Sequence, residues 1–117
     1  MSESVPQESR RLKRHNIAAV IEVYDASRGQ LLGRLVNIHT EGLMIVTEGS
    51  LKADHVYQLE IRLPEPLEGA SAIRTGVDCL WVRETDGSNM GWAGCHIIDL
   101  SDLARRQIEA LVEQMGE

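Results

Sequence analysis

The sequence predicts a mainly β domain: six short strands in a small antiparallel barrel or sandwich, followed by one C-terminal helix. Three observations carry this reading. Apolar and polar residues alternate in short runs, the period of a strand with one buried face. Clusters of Gly, Pro, Asp, Asn and Ser separate the runs. After residue 100 the apolar period changes to that of a helix. The 117 residues suit one domain, and an apolar share of 43% is enough to bury a core. Aromatics make up 3% with no Phe, so aliphatic side chains must fill that core.

Residues 1–9 read as a flexible lead and 10–117 as a single domain. The first strand is expected over residues 17–24, where Ile17, Ala19, Ile21 and Val23 alternate with Ala18, Val20, Glu22 and Tyr24. Asp25-Ala26-Ser27-Arg28-Gly29 supplies a turn. A second apolar run, 31–38, is interrupted by Gly33. The polar stretch 37–42 reads as a tight connection to a third strand over 43–47. The cleanest alternation lies in 56–63, with Tyr57, Leu59, Ile61 and Leu63 on one face and Gln58, Glu60 and Arg62 on the other. Pro64-Glu65-Pro66 is expected to end it, because proline gives no donor to a ladder. A fifth strand is expected over 72–83, a hairpin-type turn at Asp86-Gly87-Ser88-Asn89, and a sixth strand over 91–98. Ser101 then caps a helix, and Asp102 suits its first turn. Ala104, Ile108, Leu111, Val112 and Met115 form one apolar stripe, and Gly116 ends the helix. A lone amphipathic helix needs an apolar partner, so it should pack on the sheet or plug one end.

Composition narrows the function. The net charge is −6, yet residues 1–16 carry +2, through Arg10, Arg11, Lys13 and Arg14 against Glu3 and Glu8. The remaining body is therefore −8. An acidic body repels the phosphates of DNA and RNA, and scarce aromatics give bases little to stack on. A short basic cluster on such a body suits a small anionic ligand. No apolar run is long enough to span a bilayer, and the N-terminal residues lack the apolar stretch of a signal peptide, so neither membrane insertion nor secretion is expected. Two Cys support neither a disulfide framework nor a complete zinc site. The expectation is a cytoplasmic protein with Cys79 and Cys95 as small buried groups. His15, His39, His55 and His96 show no metal spacing, and no nucleophile-elbow, zinc-protease or Walker pattern occurs. Asp99 and Asp102 read as helix-start residues. Neither a metal nor catalysis is expected.

Two segments carry chemistry. Arg10-Arg11-Leu12-Lys13-Arg14 precedes the first strand, and Asn37-Ile38-His39-Thr40-Glu41-Gly42 joins the second to the third. Guanidinium forks fit a phosphate, or the O6 and N7 edge of guanine. An Asn amide both donates to and accepts from a base edge. A Gly in a tight turn lets a ligand approach the backbone and tolerates positive φ. Together they make a site for a guanine nucleotide with exposed phosphates.

These residues resemble the PilZ domain family, which pairs an R-x-x-x-R motif with a [D/N]-x-S-x-x-G motif. Here the first is Arg10-x-x-x-Arg14 and the second Asn37-x-His39-x-x-Gly42. Leu80-Trp81-Val82-Arg83 is similar to the family's hydrophobic-Trp strand. Gly94-Cys95-His96-Ile97, with Asp99-Leu100-Ser101, resembles its closing motif, and Ile97 stands where Phe is common. The resemblance implies a six-stranded antiparallel β-barrel with a C-terminal α-helix that binds cyclic di-GMP without catalysis. By that analogy Arg10 and Arg14 grip guanine edges and phosphates, Arg11 adds a contact, Asn37 reads a guanine edge and Gly42 keeps the turn open. Trp81 offers a ring surface beside a base, worth about 1–3 kcal/mol if it stacks. His39 stands in the place of the small Ser, and Glu41 brings a negative charge to the corner. The implied function is a receptor that relays the second messenger to an effector protein when ligand pins the arginine arm across the barrel mouth. The alternative is an interaction module of the same fold with weak or no nucleotide binding.

Overall fold

The computed structural model describes residues 15–16, 20–48, 51–84 and 90–115. The lead, Arg10, Arg11, Arg14 and the expected turn at 86–89 lie outside the described residues. Seven strands precede one helix: β1 (His15–Asn16), β2 (Glu22–Asp25), β3 (Gln30–His39), β4 (Gly42–Thr47), β5 (His55–Leu67), β6 (Ala70–Glu84), β7 (Gly91–Asp99) and α1 (Asp102–Met115). Strands β2, β5, β6, β7, β4 and β3 pair antiparallel in that order, and β3 pairs back to β2. The result is a closed six-stranded barrel, which leaves no full-length edge to template aggregation. The fold class read from the alternation is therefore correct, and the barrel rather than the sandwich is formed.

Of the expected first strand, residues 17–19 lie outside the described residues. Its C-terminal part is β2, whereas β1 is a two-residue piece further upstream. Both lie along the same edge of β3: β2 opposite residues 30–34, and β1 opposite 37–38. The other edge of β3 is taken by β4. The two pieces pair with β3 in different registers.

Pro64 and Pro66 do not end β5. The ladder with β6 runs to Arg62↔Ala72, shifts register, and resumes at Leu67↔Ala70. The prolines occupy the irregular stretch between those pairs, where no ladder donor is needed. The two-residue turn that follows has φ 53° at Glu68 and 79° at Gly69. Positive φ at both positions matches the right-handed twist of a tight hairpin.

Aliphatic side chains fill the barrel, among them Ile21, Val23, Ile38, Leu43, Ile45, Leu59, Ile61, Ile73 and Val77. Helix α1 completes the core at the end where β5 turns into β6. Ser101 Oγ accepts the Ala104 N–H at 3.0 Å, the expected cap. Ala104, Ile108 and Leu111 are buried in the same core, as their spacing predicts. Gln107 is buried beside them. Its Nε2 donates to the carbonyls of Leu67 (3.3 Å) and Ala72 (2.9 Å), tying the helix to both strands of the β5–β6 hairpin. Those bonds let an amide sit in an apolar stripe without an orphaned polar atom.

Candidate functional site

Asn37 is not part of a connecting loop; it lies within β3. Its direction is set by a bulge. Leu35 pairs with Ile45 and Asn37 with Met44, so Val36 is an extra residue in β3. Leu35 faces the core. With Val36 paired in a regular ladder Asn37 would face inward as well, since alternate side chains share a face. The bulge turns Asn37 onto the outer wall beside Met44 and returns Ile38 to the core.

A second bulge has the same effect on the far side. Cys79 pairs with Cys95 and Trp81 with Gly94, so Leu80 is the extra residue in β6. Cys79 stays in the core, and Trp81 turns outward. The two outward residues then fall on one lateral row. Asn16 faces Asn37, Asn37 faces Met44, Met44 faces Gly94, and Gly94 faces Trp81. Asn37 and Trp81 are three strand spacings apart, about 14 Å. The indole lies on Gly94, where a Cβ would run into the ring. Trp81 remains 38% exposed, with the Arg83 guanidinium 5.6 Å from the ring centroid. This row lies on the wall of the barrel.

Asn37 carries an unmet demand. It is 8% exposed, and among the described residues its Nδ2 approaches Met44 Sδ, at 4.0 Å. Its Oδ1 is buried without a hydrogen-bond partner. A buried acceptor left unpaired costs about 1–3 kcal/mol. An amide kept in that state is an acceptor awaiting a donor.

The corner beyond Asn37 is a two-residue turn, Thr40–Glu41, between His39 and Gly42, which face each other. His39 Nδ1 accepts the Glu41 N–H at 2.9 Å. This is the side-chain-to-backbone bond, two residues forward, that a Ser or Asx side chain makes in such turns. Imidazole here does the work of the smaller hydroxyl, and its neutral form carries the proton on Nε2. The Glu41 carbonyl accepts the Ile97 N–H at 2.9 Å, holding the turn against β7.

Gly42 does not use the positive φ that a glycine tolerates. Its requirement is closeness: a Cβ would stand 2.9 Å from the Cys95 carbonyl oxygen. Glycine lets β4 lie this close to β7 and keeps the corner flat. On the next row His96 faces Gly42 from β7, and Asp78 faces His96 from β6. The sequence analysis missed Met44, Gly94 and His96 as parts of this face. Alternation counted from a buried neighbour would have found Met44 and His96.

Of the site residues expected from sequence, the structure gathers Asn37, His39 and Gly42 at one corner and puts Trp81 on the same wall. Arg10, Arg11 and Arg14 lie outside the described residues. Cys79 and Cys95 are buried and unbridged, as expected, and burial pushes both thiols above their ordinary pKa. Among the described residues no cluster of three or more His, Cys, Asp or Glu could hold a metal ion, and no helix is long and apolar enough to cross a membrane.

Comparison with known proteins agrees with the fold. The PilZ domain family matches residues 8–114. A solved structure from Bacillus subtilis, the inhibitor of motility MotI/DgrA, superposes with a TM-score of 0.67 at 17% identity over 90% of this chain. The chain spans about half of that protein, 51% of its length. Among curated proteins none matches this sequence significantly.

Proposed function

The chain belongs to the PilZ domain family, and from that premise we propose that it is a cyclic di-GMP receptor that relays the messenger's level to an effector protein. The observation that carries this reading is the buried, unpartnered Oδ1 of Asn37 on the outer wall. A guanine edge offers N–H donors to such an acceptor. The β1 register supports convergence of the two motifs, since His15, the residue after Arg14, faces Ile38, and Asn16 faces Asn37.

In this reading Arg10 and Arg14 grip guanine edges and phosphates, with Arg11 adding a contact. Asn37 accepts from a guanine edge. Gly42 keeps the corner flat enough for close approach, and His39 holds the turn beneath it. Trp81 offers its ring about 14 Å along the row from Asn37. No bond is made or broken. Ligand orders the arginine arm against the barrel wall, and the ordered surface is what an effector reads.

Calorimetric titration with cyclic di-GMP tests this. Micromolar binding corresponds to about −8.2 kcal/mol. It should disappear in Arg14→Ala, and Asn37→Ala should weaken it about tenfold or more. Backbone amide signals of residues 8–16 should shift and sharpen into an ordered set at saturation. Binding that survives Arg14→Ala would overturn the assignment of the arm. The second reading, an interaction module without nucleotide, is favoured by Glu41, an exposed carboxylate at the corner. No heat and no shift near Asn37 at high ligand concentration would establish it over the first.

A further inference from the structure

The end of the barrel away from α1 holds a cavity of about 430 Å³, lined in part by the β2–β3 turn, the β4–β5 connection and the start of β5. That volume is within the usual range of small-molecule sites. Two cations from separate elements line it: Arg28 from the turn and Lys52 from the connection. Among the described residues neither has a carboxylate partner, whereas Arg62, Arg74 and Arg106 each pair with a glutamate. In a chain of net charge −6, two unpaired cations on one cavity are a local reversal of sign.

The acid in the lining does not cancel them. Asp25 is 7% exposed, and its Oδ1 already accepts the backbone N–H groups of Ser27 (2.9 Å) and Arg28 (3.3 Å), so its charge closes its own turn. The other polar groups are positioned. The Tyr57 hydroxyl oxygen accepts the Lys52 N–H at 2.9 Å, which leaves its own proton to donate. The His55 ring is oriented by Nδ1, 2.9 Å from the Ala53 carbonyl oxygen. A left-handed residue, Asp54 at φ 66°, links that loop to β5 and is anchored by its N–H to the Cys79 carbonyl at 2.7 Å. Leu32, Val56 and Tyr57 supply apolar surface.

We propose that this cavity binds a small organic anion, its phosphoryl or carboxylate head between Arg28 and Lys52 and its body against Leu32, Val56 and Tyr57. The site is separate from the cyclic di-GMP corner. Gln30 lines the cavity and Asn37 belongs to the corner, and they are seven residues apart on β3, roughly 23 Å of strand. The proposal therefore stands whether or not the corner binds nucleotide.

The test is an NMR titration of the full chain with ribose 5-phosphate and, separately, with citrate, against sodium chloride at matched ionic strength. Saturable shifts centred on residues 25–32 and 52–58 are expected for at least one of the two, and which one identifies the head group. Lys52→Gln and Arg28→Gln should each weaken that binding about tenfold, with the rest of the spectrum unchanged. Absence of saturable shifts with both probes overturns the site. So do shifts that chloride reproduces, or that persist in the double variant.

Discussion

At the scale of single residues, His39 shows how one side chain can replace another by performing the same bond. Its Nδ1 takes the Glu41 N–H that a hydroxyl would take in the family's motif. His39→Ser should therefore keep the turn and bind cyclic di-GMP as well as the parent chain or better, because Ser supplies the same acceptor in less space. Calorimetry on the variant checks this, and a tenfold loss of affinity would show that the imidazole itself touches ligand. Asn37 is the opposite case. Among the described residues no group satisfies its Oδ1. The residue types were legible in the sequence, as was the corner they belong to. The orphaned acceptor was not, because partnering depends on which face a strand residue ends on.

At the scale of elements, the two bulges decide those faces. Nothing in Leu35-Val36-Asn37 or Cys79-Leu80-Trp81 announces an extra residue, since a β-branched or aliphatic residue sits equally well in a regular strand. Bulges arise from pairing with a neighbour, and one sequence read alone shows no neighbour. The same reason explains the continuation of β5 through its prolines: the partner strand shifts register there. Local signals did better. Ser101 caps α1 as read, and the apolar stripe of that helix meets the core. Gly94 gives a test at this scale. A methyl group there strikes the Trp81 ring and must expel it from its seat between strands. Gly94→Ala should destabilise the fold by about 2 kcal/mol. It should also shift the tryptophan emission, which denaturant unfolding followed by fluorescence would record.

At the scale of the whole molecule, closure of the barrel removes Cys79 and Cys95 from water, opposite each other on β6 and β7. Burial raises both thiols above their ordinary value of 9.0. The sign follows from linkage. In the folded state the thiols stay protonated, while in the unfolded chain they ionise above that value, so rising pH favours unfolding. Stability should be flat with respect to these groups below pH 9.0. Above it, stability should fall by up to about 1.4 kcal/mol per pH unit for each thiol. Urea midpoints measured across that range, with Cys79→Ala/Cys95→Ala as control, check the slope; a control that falls equally steeply assigns it to other groups. Strand count and turn spacing made a small antiparallel barrel or sandwich readable from sequence and the family resemblance implied the barrel, whereas cross-strand neighbours such as the two cysteines emerge only from register.

The bulge at Val36 makes the register of pairing, rather than chemical identity, the guarded quantity between Leu35 and Asn37. Any side chain at home in a strand could replace Val36 with little consequence for recognition. Were Val36 drawn into a regular ladder with β4, the amide would turn inward, Ile38 would be thrust into water and the wall would be blind, though every motif residue remained in the sequence.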